Sequence, residues 1–334
     1  MPSFRSGRVT EILSERAGIQ RVAIDDERAY VLTDQIGSVA LGDEVVFNTT
    51  AVDLGLGTGG WHVVHWNLER RSWSQPGPGH IMKVRYTSLQ SDTGALEEDA
   101  DPGTDLRGRP VVACSLHSQV PIVAATFLAQ RPDARVAYVM TDGAALPMAL
   151  SDLVVRMKDA GLVHVTLTAG HAFGGDREAV SVPSAIAAAV ALEAADLVIV
   201  AMGPGVVGTD TALGTSAVEV AAVLDASAAL GGRPICCVRA SGADPRPRHR
   251  GASHHVDTIL SLTRSRVEVA TVAGAEVSTD RHDIRVLDPG DVPALLDARG
   301  LRVTSMGRGP EDDPLFHVAA GAAGMLAADD PVGR

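Results

Sequence analysis

The sequence predicts an α/β protein with a small N-terminal β-barrel followed by a doubly wound, mostly parallel Rossmann-like sheet. Within the first 75 residues, short β-branched segments alternate with turn residues, a pattern that is typical of small barrels. From residue 109 onward, apolar strand-like segments alternate with Ala-, Leu- and Val-rich helical segments. Such alternation predicts a parallel sheet whose strands are joined by crossover helices.

The barrel is predicted from five strand-like segments: GRVTEILSE, IQRVAIDD, RAYVLTD, DEVVFNTT and GWHVVHWNL. A further segment at 80–90, HIMKVRYTSLQ, is compatible with a strand of either unit, and we place the barrel domain at residues 1–90. The acidic stretch at 91–108 contains Gly and Pro and predicts a solvated linker. The Rossmann-like domain then covers residues 109–325.

Each of five buried strands in the larger domain runs into a polar loop. The segments are VVACSLHS (111–118), VAYVMTDGAALP (136–147), VHVTLTAGHAFGGD (163–176), LVIVAMGPGVVGTD (197–210) and PICCVRASGAD (234–244). Pro121, Pro147 and Pro183 mark the predicted starts of helices between them. Because the carboxyl ends of parallel strands share one edge of a sheet, we expect the loops to converge on a single cleft.

Composition bears on the location and the partners of the protein. The apolar runs are short, and the first residues, MPSFRSGRVTE, lack a hydrophobic signal core. We therefore expect a cytoplasmic protein that is neither secreted nor inserted in a membrane. The formal charge of −12 disfavours nucleic acid as a partner. The expected partner is a small anionic molecule, and a homo-oligomer is left open.

Missing motifs exclude several enzyme classes. Lys83 and Lys158 are the only lysines, and no G-K-[ST] occurs, which argues against a P-loop nucleotidase and a pyridoxal-phosphate enzyme. The chain also lacks G-x-S-x-G, H-E-x-x-H and paired C-x-x-C patterns. This removes the commonest serine-hydrolase and zinc templates.

A glycine-rich turn after the fourth strand is the predicted anion site. Gly203, Gly205 and Gly208 follow a strand and precede a helix, where backbone N–H groups and a helix N-terminus favour an anion. Pro204 removes one N–H donor, and no acidic residue ends a following strand at the spacing of a dinucleotide site. A purely structural turn remains the alternative.

The loop that contains this turn is predicted to be long. Ser216 and Glu219 match a capping box, which would start the next helix late. Thr209 and Asp210 are then left in the loop as predicted ligand-binding residues. A second G-x-G-x-x-G match, at 55–60, lies between two β-strands and predicts a barrel loop instead of a ligand site.

Three residues on neighbouring loops are the predicted catalytic groups. Asp142 follows the second strand, and His171 and Asp176 lie on the glycine-flanked loop GHAFGGD after the third. Histidine is suited to proton transfer near neutral pH, and an aspartate could orient it or share a metal. The alternative is that these side chains satisfy backbone groups of their own loops.

The segment RPRHRGASHH at 246–255 concentrates potential ligands and cations. Ser253 is a predicted N-cap, which places His254 and His255 in the first turn of a helix, where the dipole disfavours the imidazolium form. Neutral imidazoles make good metal ligands, but we expect at most one of two adjacent histidines to point into a small site. Arg248 is predicted to hold an anion through its planar guanidinium, with an exposed basic loop as the alternative.

Several motifs resemble a bacterial family of unknown function whose members combine a β-barrel with an α/β domain. They are TDGAALP, GHAFGGDREAV, GPGVVGTDTALG, RHRGASHH, NTTAVDLGLGTGGWHVVHW and MKVRYTSLQ. The resemblance implies no activity and assigns no catalytic residue. From the residues themselves, we expect an enzyme that acts by hydrolysis or group transfer on a small anionic or nucleotide-like molecule, with a divalent metal as a candidate cofactor. The alternative is a non-catalytic ligand-binding regulator whose barrel engages a partner.

Overall fold

The computed structural model describes residues 1–56 and 59–329 and divides into two compact units, Met1–Gly94 and Ala95–Arg334. Gly57, part of the second glycine match, lies outside the described residues. Each unit has a hydrophobic core of its own. In the part of the chain that is described, no helix is long and apolar enough to cross a membrane.

The first unit contains the closed five-stranded barrel that the sequence predicts. Its strands are β1 (Phe4–Arg16), β2 (Ile19–Ile24), β3 (Glu27–Val31), β4 (Glu44–Asn48) and β5 (Trp61–Asn67). They follow the order β1-β2-β3-β5-β4, and β1 pairs with β4 to close the barrel. Strands β3 and β5 are parallel, and the other neighbours are antiparallel.

Alternating burial explains why these segments form a barrel. On β2 and β3, Val22, Ile24, Ala29 and Val31 are buried, whereas the residues between them lie at the surface, because successive strand residues point to opposite faces. Short elements complete the unit: α1 (Thr33–Ile36), α2 (Thr50–Asp53), and the paired strands β6 (Met82–Lys83) and β7 (Ser91–Asp92).

The second unit is built on an eight-stranded parallel sheet, which confirms the predicted fold class. Its strands are β8 (Pro110–Cys114), β9 (Val136–Thr141), β10 (Val165–Ala169), β11 (Arg177–Ala179), β12 (Leu197–Met202), β13 (Arg233–Cys237), β16 (Glu268–Thr271) and β17 (Asp283–Val286). Their order is β11-β10-β9-β12-β8-β13-β16-β17. Strand β12 lies between β8 and β9 and pairs in parallel with both. A separate antiparallel pair, β14 (Ala240–Ser241) and β15 (Gly251–Ala252), follows β13.

Helices cover the sheet in two groups that pack among themselves. One group consists of α3 (Val120–Gln130), α8 (Val292–Asp297) and α9 (Pro314–Ala328), and the other consists of α5 (Val182–Ala191), α6 (Glu219–Ala229) and α7 (His254–Leu262). The remaining helix is α4 (Asp152–Asp159), which Ser151 caps. Small residues let α9 approach α3 closely: a Cβ on Gly324 would lie 2.2 Å from the carbonyl oxygen of Val123.

The helix after the glycine turn starts differently from the prediction. A 3₁₀ turn at 216–218 precedes α6, and Thr215, not Ser216, caps it by accepting a hydrogen bond from the N–H of Ala217 at 3.2 Å. Glu219 does not complete a capping box, because its carboxylate accepts a hydrogen bond from the hydroxyl of Thr141 at 2.6 Å. A polar group at the end of β9 therefore replaces the local partner that the sequence suggested.

Candidate functional site

A small cavity lies at the carboxyl edge of the parallel sheet in the second unit. Its volume is about 110 Å³. The walls come from the loop after β12, the segment after β13 and one methionine, and they consist of Val206, Val207, Gly208, Thr209, Arg239, Arg246, Arg248, His249, His255 and Met306. The cavity therefore lies where ligands bind in open parallel sheets.

Three histidines, which we call the histidine cluster, converge beside this cavity. One potential ligand nitrogen of each of His249, His254 and His255 lies within 4.8 Å of the others. His249 and His255 are buried, with 2% and 3% of their surface exposed. Of the two adjacent histidines, His255 lines the cavity and His254 does not, although both belong to the cluster. The rings of His254 and His255 lie side by side, with centroids 4.3 Å apart.

Local structure explains how adjacent residues reach the same place. Ser253 caps α7 by accepting a hydrogen bond from the N–H of His255 at 3.4 Å, as the sequence predicts. The rings of His254 and His255 therefore project from the first turn of the helix. The 3₁₀ turn at 247–249 brings His249 toward them, and its Nδ1 lies 2.7 Å from the hydroxyl oxygen of Ser253. If Nδ1 donates to that oxygen, Nε2 of His249 is left as the ligand atom.

Several nitrogens of the cluster lack any partner within the described part of the chain. These buried atoms are Nε2 of His254 and both ring nitrogens of His255. An unsatisfied buried polar atom costs free energy unless a ligand, ion or water binds it. His255 therefore has unused hydrogen-bonding capacity at the wall of a cavity.

The cluster is held in its neutral form. Burial, followed by the nearby arginines, lowers the pKa of His249 to about 4. The pKa of His255 is also lowered to about 4, by burial first and then by His254 and the arginines. Burial and Arg248 lower the pKa of His254 as well. At neutral pH all three imidazoles can therefore donate a lone pair to a metal.

Arg239, Arg246 and Arg248, which we call the arginine group, supply positive charge to the same cavity. Arg239 is 7% exposed, and burial together with Arg246 lowers its pKa to about 10, so it is still charged at neutral pH. Nη2 of Arg248 forms an ion pair of 2.6 Å with the exposed carboxylate of Asp210, while its buried Nε has no hydrogen-bond partner among residues 1–56 and 59–329. The arrangement favours an anionic ligand.

A buried carboxylate organises the arginines. Asp244 is fully buried, and its two carboxylate oxygens each accept a 2.9 Å hydrogen bond from Arg246. Arg308 approaches Asp244 at 3.4 Å and Arg239 at 4.0 Å. The hydrogen bond from Arg246 holds the pKa of Asp244 well below its usual range. One carboxylate therefore anchors several cations, and positive charge remains to face the cavity.

The family comparison covers both units. The model of a family described as a protein of unknown function (DUF3866) matches residues 28–324, which is most of the chain. The chain belongs to the DUF3866 family. This confirms the resemblance to a family of unknown function that the motifs indicated. Comparison with curated proteins finds no match.

In this DUF3866 protein, the glycine turn is partly structural. The N–H groups of Val207 and Thr209 donate within the loop, to the hydroxyl of Ser216 at 3.2 Å and to the carbonyl of Gly214 at 2.7 Å. Gly208 lies against the histidine cluster, since a Cβ there would lie 3.2 Å from Cε1 of His255. The predicted backbone cradle for an anion remains a prediction, and the arginine group is the nearer source of attraction.

Gly203 and Gly205 belong to the same loop but do not line the cavity. A Cβ on Gly203 would lie 2.5 Å from the carbonyl oxygen of Ala145, so glycine permits close packing against the loop after β9. Gly205 has a φ of +104° with open space around it. Any side chain at Gly205 would strain the backbone, so a substitution there tests conformation as much as binding.

Asp142 and His171 meet through the backbone. The carboxylate of Asp142 accepts a hydrogen bond from the N–H of His171 at 2.9 Å, and a Cβ on Gly170 would lie 2.3 Å from the same carboxylate. Asp142 thus shapes the turn after β10. Neither Asp142 nor His171 is among the residues that line the cavity.

Asp176 lies apart from the other predicted site residues. Its carboxylate forms a 2.5 Å ion pair with Lys158 and accepts hydrogen bonds from the N–H and hydroxyl of Thr166, each at 2.9 Å. Although burial raises its pKa, these donors outweigh burial and lower it. Thr166 lies near the amino end of β10. Since Asp176 contacts it, the 170–176 loop turns back toward the opposite edge of the sheet. Asp176 therefore does not join the cavity.

The remaining predicted residues lie at the cavity. Gly208, Thr209, Arg248 and His255 line it, Asp210 is paired with Arg248, and His254 belongs to the histidine cluster. The hydroxyl of Thr209 contacts Thr211 at 2.9 Å, so its side chain also stabilises its own loop. The loops after β12 and β13 therefore meet at one cavity, whereas convergence of all five loops on a single cleft remains a prediction.

Sequence reasoning missed three residues. His249 lies in the same ten-residue segment as His254 and His255, and Arg239 directly follows the apolar run PICCV. Arg239 could have been found from its position after a strand, and His249 from its neighbours in the segment. Glu219, assigned to a helix cap, is instead a half-buried carboxylate beside Thr141, and its partial burial raises its pKa despite that hydrogen bond. No local signal indicated that contact.

His117, which follows β8, forms hydrogen bonds in the interior of the second unit. Its Nδ1 lies 3.0 Å from the hydroxyl of Tyr138, and its Nε2 lies 2.7 Å from the hydroxyl of Ser151. Ser151 in turn accepts a hydrogen bond from the N–H of Val154 at 3.2 Å. Burial lowers the pKa of His117 to about 4, so this buried network contains a neutral imidazole.

A second cavity, of about 420 Å³, lies at the opposite, amino-terminal edge of the sheet. Two of its four arginines form ion pairs: Arg109 lies 2.9 Å from Asp196, and Arg233 donates to Glu268 at 2.5 Å. The described residues that line this cavity include no histidine. The smaller cavity, with its unpartnered histidines, is the better candidate site.

Proposed function

We propose that the protein is an enzyme that acts by hydrolysis or group transfer on a small anionic, nucleotide-like molecule, with a divalent transition metal held by the histidine cluster. The observation that carries the proposal is the convergence of three neutral histidines, with donor atoms within 4.8 Å of one another, on a cavity lined by three arginines. The first group of residues is suited to a metal and the second to an anion.

The donor set favours zinc or a similar ion. Imidazole nitrogens suit zinc, copper, nickel and iron, whereas magnesium and calcium require oxygen ligands. Three histidines with one open position are the ligand set of a catalytic zinc site. In such a site the nitrogens lie about 3.3 Å apart, so metal binding would draw the donor atoms together from their present spacing of up to 4.8 Å.

The arginine group determines what the metal would act on. A cavity of about 110 Å³ is smaller than a typical ligand pocket of about 300–1,000 Å³. It accommodates an anionic group, while the rest of the ligand stays outside. Arg239 and Arg248 would hold that group, and a metal at the cluster would polarise it or a water molecule next to it.

Arginines beside a metal site have a thermodynamic consequence. Positive charge opposes a bound cation, and an anion in the same cavity removes that opposition. Metal and anion should therefore strengthen the binding of each other by the same factor. A site for a metal alone would not place three arginines at this position.

Calorimetric titration of chelator-treated protein with Zn²⁺, with and without inorganic phosphate, tests the proposal. We expect one zinc per chain, tighter binding in phosphate, and a loss of at least about 100-fold in affinity, or about 2.8 kcal/mol, in His249→Ala and His255→Ala. His80→Ala, which changes an exposed histidine of the first unit, is the matched control. Undiminished zinc binding in His255→Ala would refute the metal site.

Turnover is tested separately, on phosphate monoesters and phosphoanhydrides with the zinc-loaded protein. Release of phosphate that depends on His255 and Arg239 would support the enzyme. Tight binding of these compounds without any turnover would instead favour the non-catalytic ligand-binding regulator.

A further inference from the structure

The first unit places most of its aromatic side chains outside the core. Residues 1–94 contain seven of the eleven Phe, Trp and Tyr residues of the chain. Phe47 is buried, while the other six, all described, are partly or fully exposed. In the second unit the four aromatic residues are all buried, namely Phe127, Tyr138, Phe173 and Phe316. Exposed aromatic groups on one small barrel require an explanation.

Strand register brings two of these aromatic residues together with two arginines. Arg21 on β2 lies opposite Tyr30 on β3, and Arg28 on β3 lies opposite Trp61 on β5. The intervening Ala29 is fully buried, so the residues on either side of it point outward. We call this surface, formed by Arg21, Arg28, Tyr30 and Trp61, the aromatic face of the barrel.

The four side chains form an ordered stack. The rings of Tyr30 and Trp61 are stacked, with centroids 4.8 Å apart and planes inclined by 18°. The guanidinium of Arg28 lies 4.8 Å from the centroid of Trp61, and that of Arg21 lies 5.7 Å from the centroid of Tyr30. Arg28 also donates to the carbonyl oxygen of Gly59 at 3.1 Å. Flat rings and cations are therefore held in a defined orientation at the surface.

We propose that the aromatic face binds single-stranded nucleic acid. Unpaired bases stack on exposed aromatic rings and arginines neutralise phosphates, which is how single strands are bound without sequence preference. A base can stack on Trp61 in place of the guanidinium of Arg28. The displaced Arg28, which is exposed, can then bind the adjacent phosphate. Because the contacts are to base faces and phosphates, RNA and DNA are expected to bind alike, and a duplex, whose bases are already stacked, more weakly.

Most of the negative charge of the protein lies outside the first unit. Residues 1–94 contain nine basic and eleven acidic residues, so most of the formal charge of −12 belongs to the rest of the chain. Nonspecific electrostatic attraction will be weak, and stacking must supply much of the affinity. The negative net charge disfavours nonspecific electrostatic attraction to nucleic acid, whereas binding at the aromatic face would depend mainly on base stacking.

Fluorescence anisotropy with labelled ten-nucleotide single strands, RNA and DNA, tests the proposal on the full chain at low salt. Trp61→Ala should weaken binding at least about fivefold, the loss expected for one stacked base. Arg28→Glu should weaken it and reduce its salt dependence. Trp73→Ala is the matched control, because Trp73 is also stacked by an arginine, with Arg70 5.1 Å from its ring, but lies outside the aromatic face.

Three results would overturn the proposal: no binding of either single strand, equal binding of a duplex of the same sequence, or parental affinity in both Trp61→Ala and Arg28→Glu. Circular dichroism checks that the barrel is folded. If Trp61→Ala unfolds it, the surface substitution Arg28→Glu decides. Zinc binding should be unchanged in these variants, so failure of the aromatic face is distinguishable from failure of the metal site.

Discussion

Zinc binding to the histidine cluster should depend only weakly on pH between 7.5 and 6.0. The perturbation is a change of pH, and the relevant competition is between zinc and protons for the imidazole nitrogens. Burial and the arginines lower the pKa of both His249 and His255 to about 4. Protons therefore compete poorly at these two residues throughout this range of pH.

The expected magnitude follows from the neutral fractions. A histidine with the ordinary pKa of about 6.5 is about 91% neutral at pH 7.5 and about 24% neutral at pH 6.0. Three such ligands would together lose about 50-fold in zinc affinity. Here His249 and His255 stay almost entirely neutral, and His254, whose pKa is also lowered, contributes a loss of less than about fourfold. The whole site should therefore lose less than about fourfold.

Competition with a chromophoric chelator measures this directly, after correction for protonation of the chelator itself. Parallel titrations at pH 7.5 and 6.0 are made on the parent protein and on His254→Ala. The variant should bind zinc more weakly than the parent, but its zinc affinity should fall even less between the two pH values. A loss of tens of fold in the parent protein would show that the histidines have ordinary pKa values. The argument that burial prepares them as ligands would then be refuted.

Three further predictions concern the surroundings of the site. Gly208→Ala places a methyl group 3.2 Å from Cε1 of His255 and should weaken zinc binding in calorimetry; unchanged affinity would show that the ring can move away freely. The pKa of His117 is lowered to about 4, so below pH 6.5 the folded state binds fewer protons than the unfolded state. The contribution of the neutral His117 to the free energy of unfolding is complete above pH 6.5 and falls by about 2 kcal/mol by pH 5. His117→Gln should remove that share of the acid sensitivity in urea unfolding of zinc-free protein, and an identical pH dependence would contradict the burial argument. Asp244→Asn breaks a bidentate pair with Arg246 and should cost about 3 kcal/mol of unfolding free energy, whereas a cost under about 1 kcal/mol would show that the pair is unimportant.

Much of the fold could be predicted because its signals are local. Apolar runs of strand length separated by helical segments predict parallel strands, and the order of the chain alone places their following loops on one edge. Helix caps are also local, since Ser253 needs only the N–H groups of the next residues. Ser216 and Glu219 show the limit, because a distant hydroxyl, that of Thr141, competes for the carboxylate.

The candidate site was predictable in its segments but not in its contacts. The sequence placed Arg248, His254 and His255 after a strand and at the start of a helix. It could not show that His249 completes a cluster within 4.8 Å or that Arg239 is buried beside it, because strand order and loop packing set those distances. Likewise Asp176 shares a loop with His171 in sequence, yet that loop folds back to pair Asp176 with Lys158.

The sequence by itself determined the two kinds of domain, the parallel sheet and the edge at which polar loops gather, since these follow from periodicity and chain direction. Only the tertiary structure decided that β12 lies between β8 and β9, which histidines share a site, and that Tyr30 and Trp61 stack on the barrel surface. The physical reason is that these features depend on contacts between residues far apart in sequence. Such contacts form only when burial of the whole core fixes the backbone.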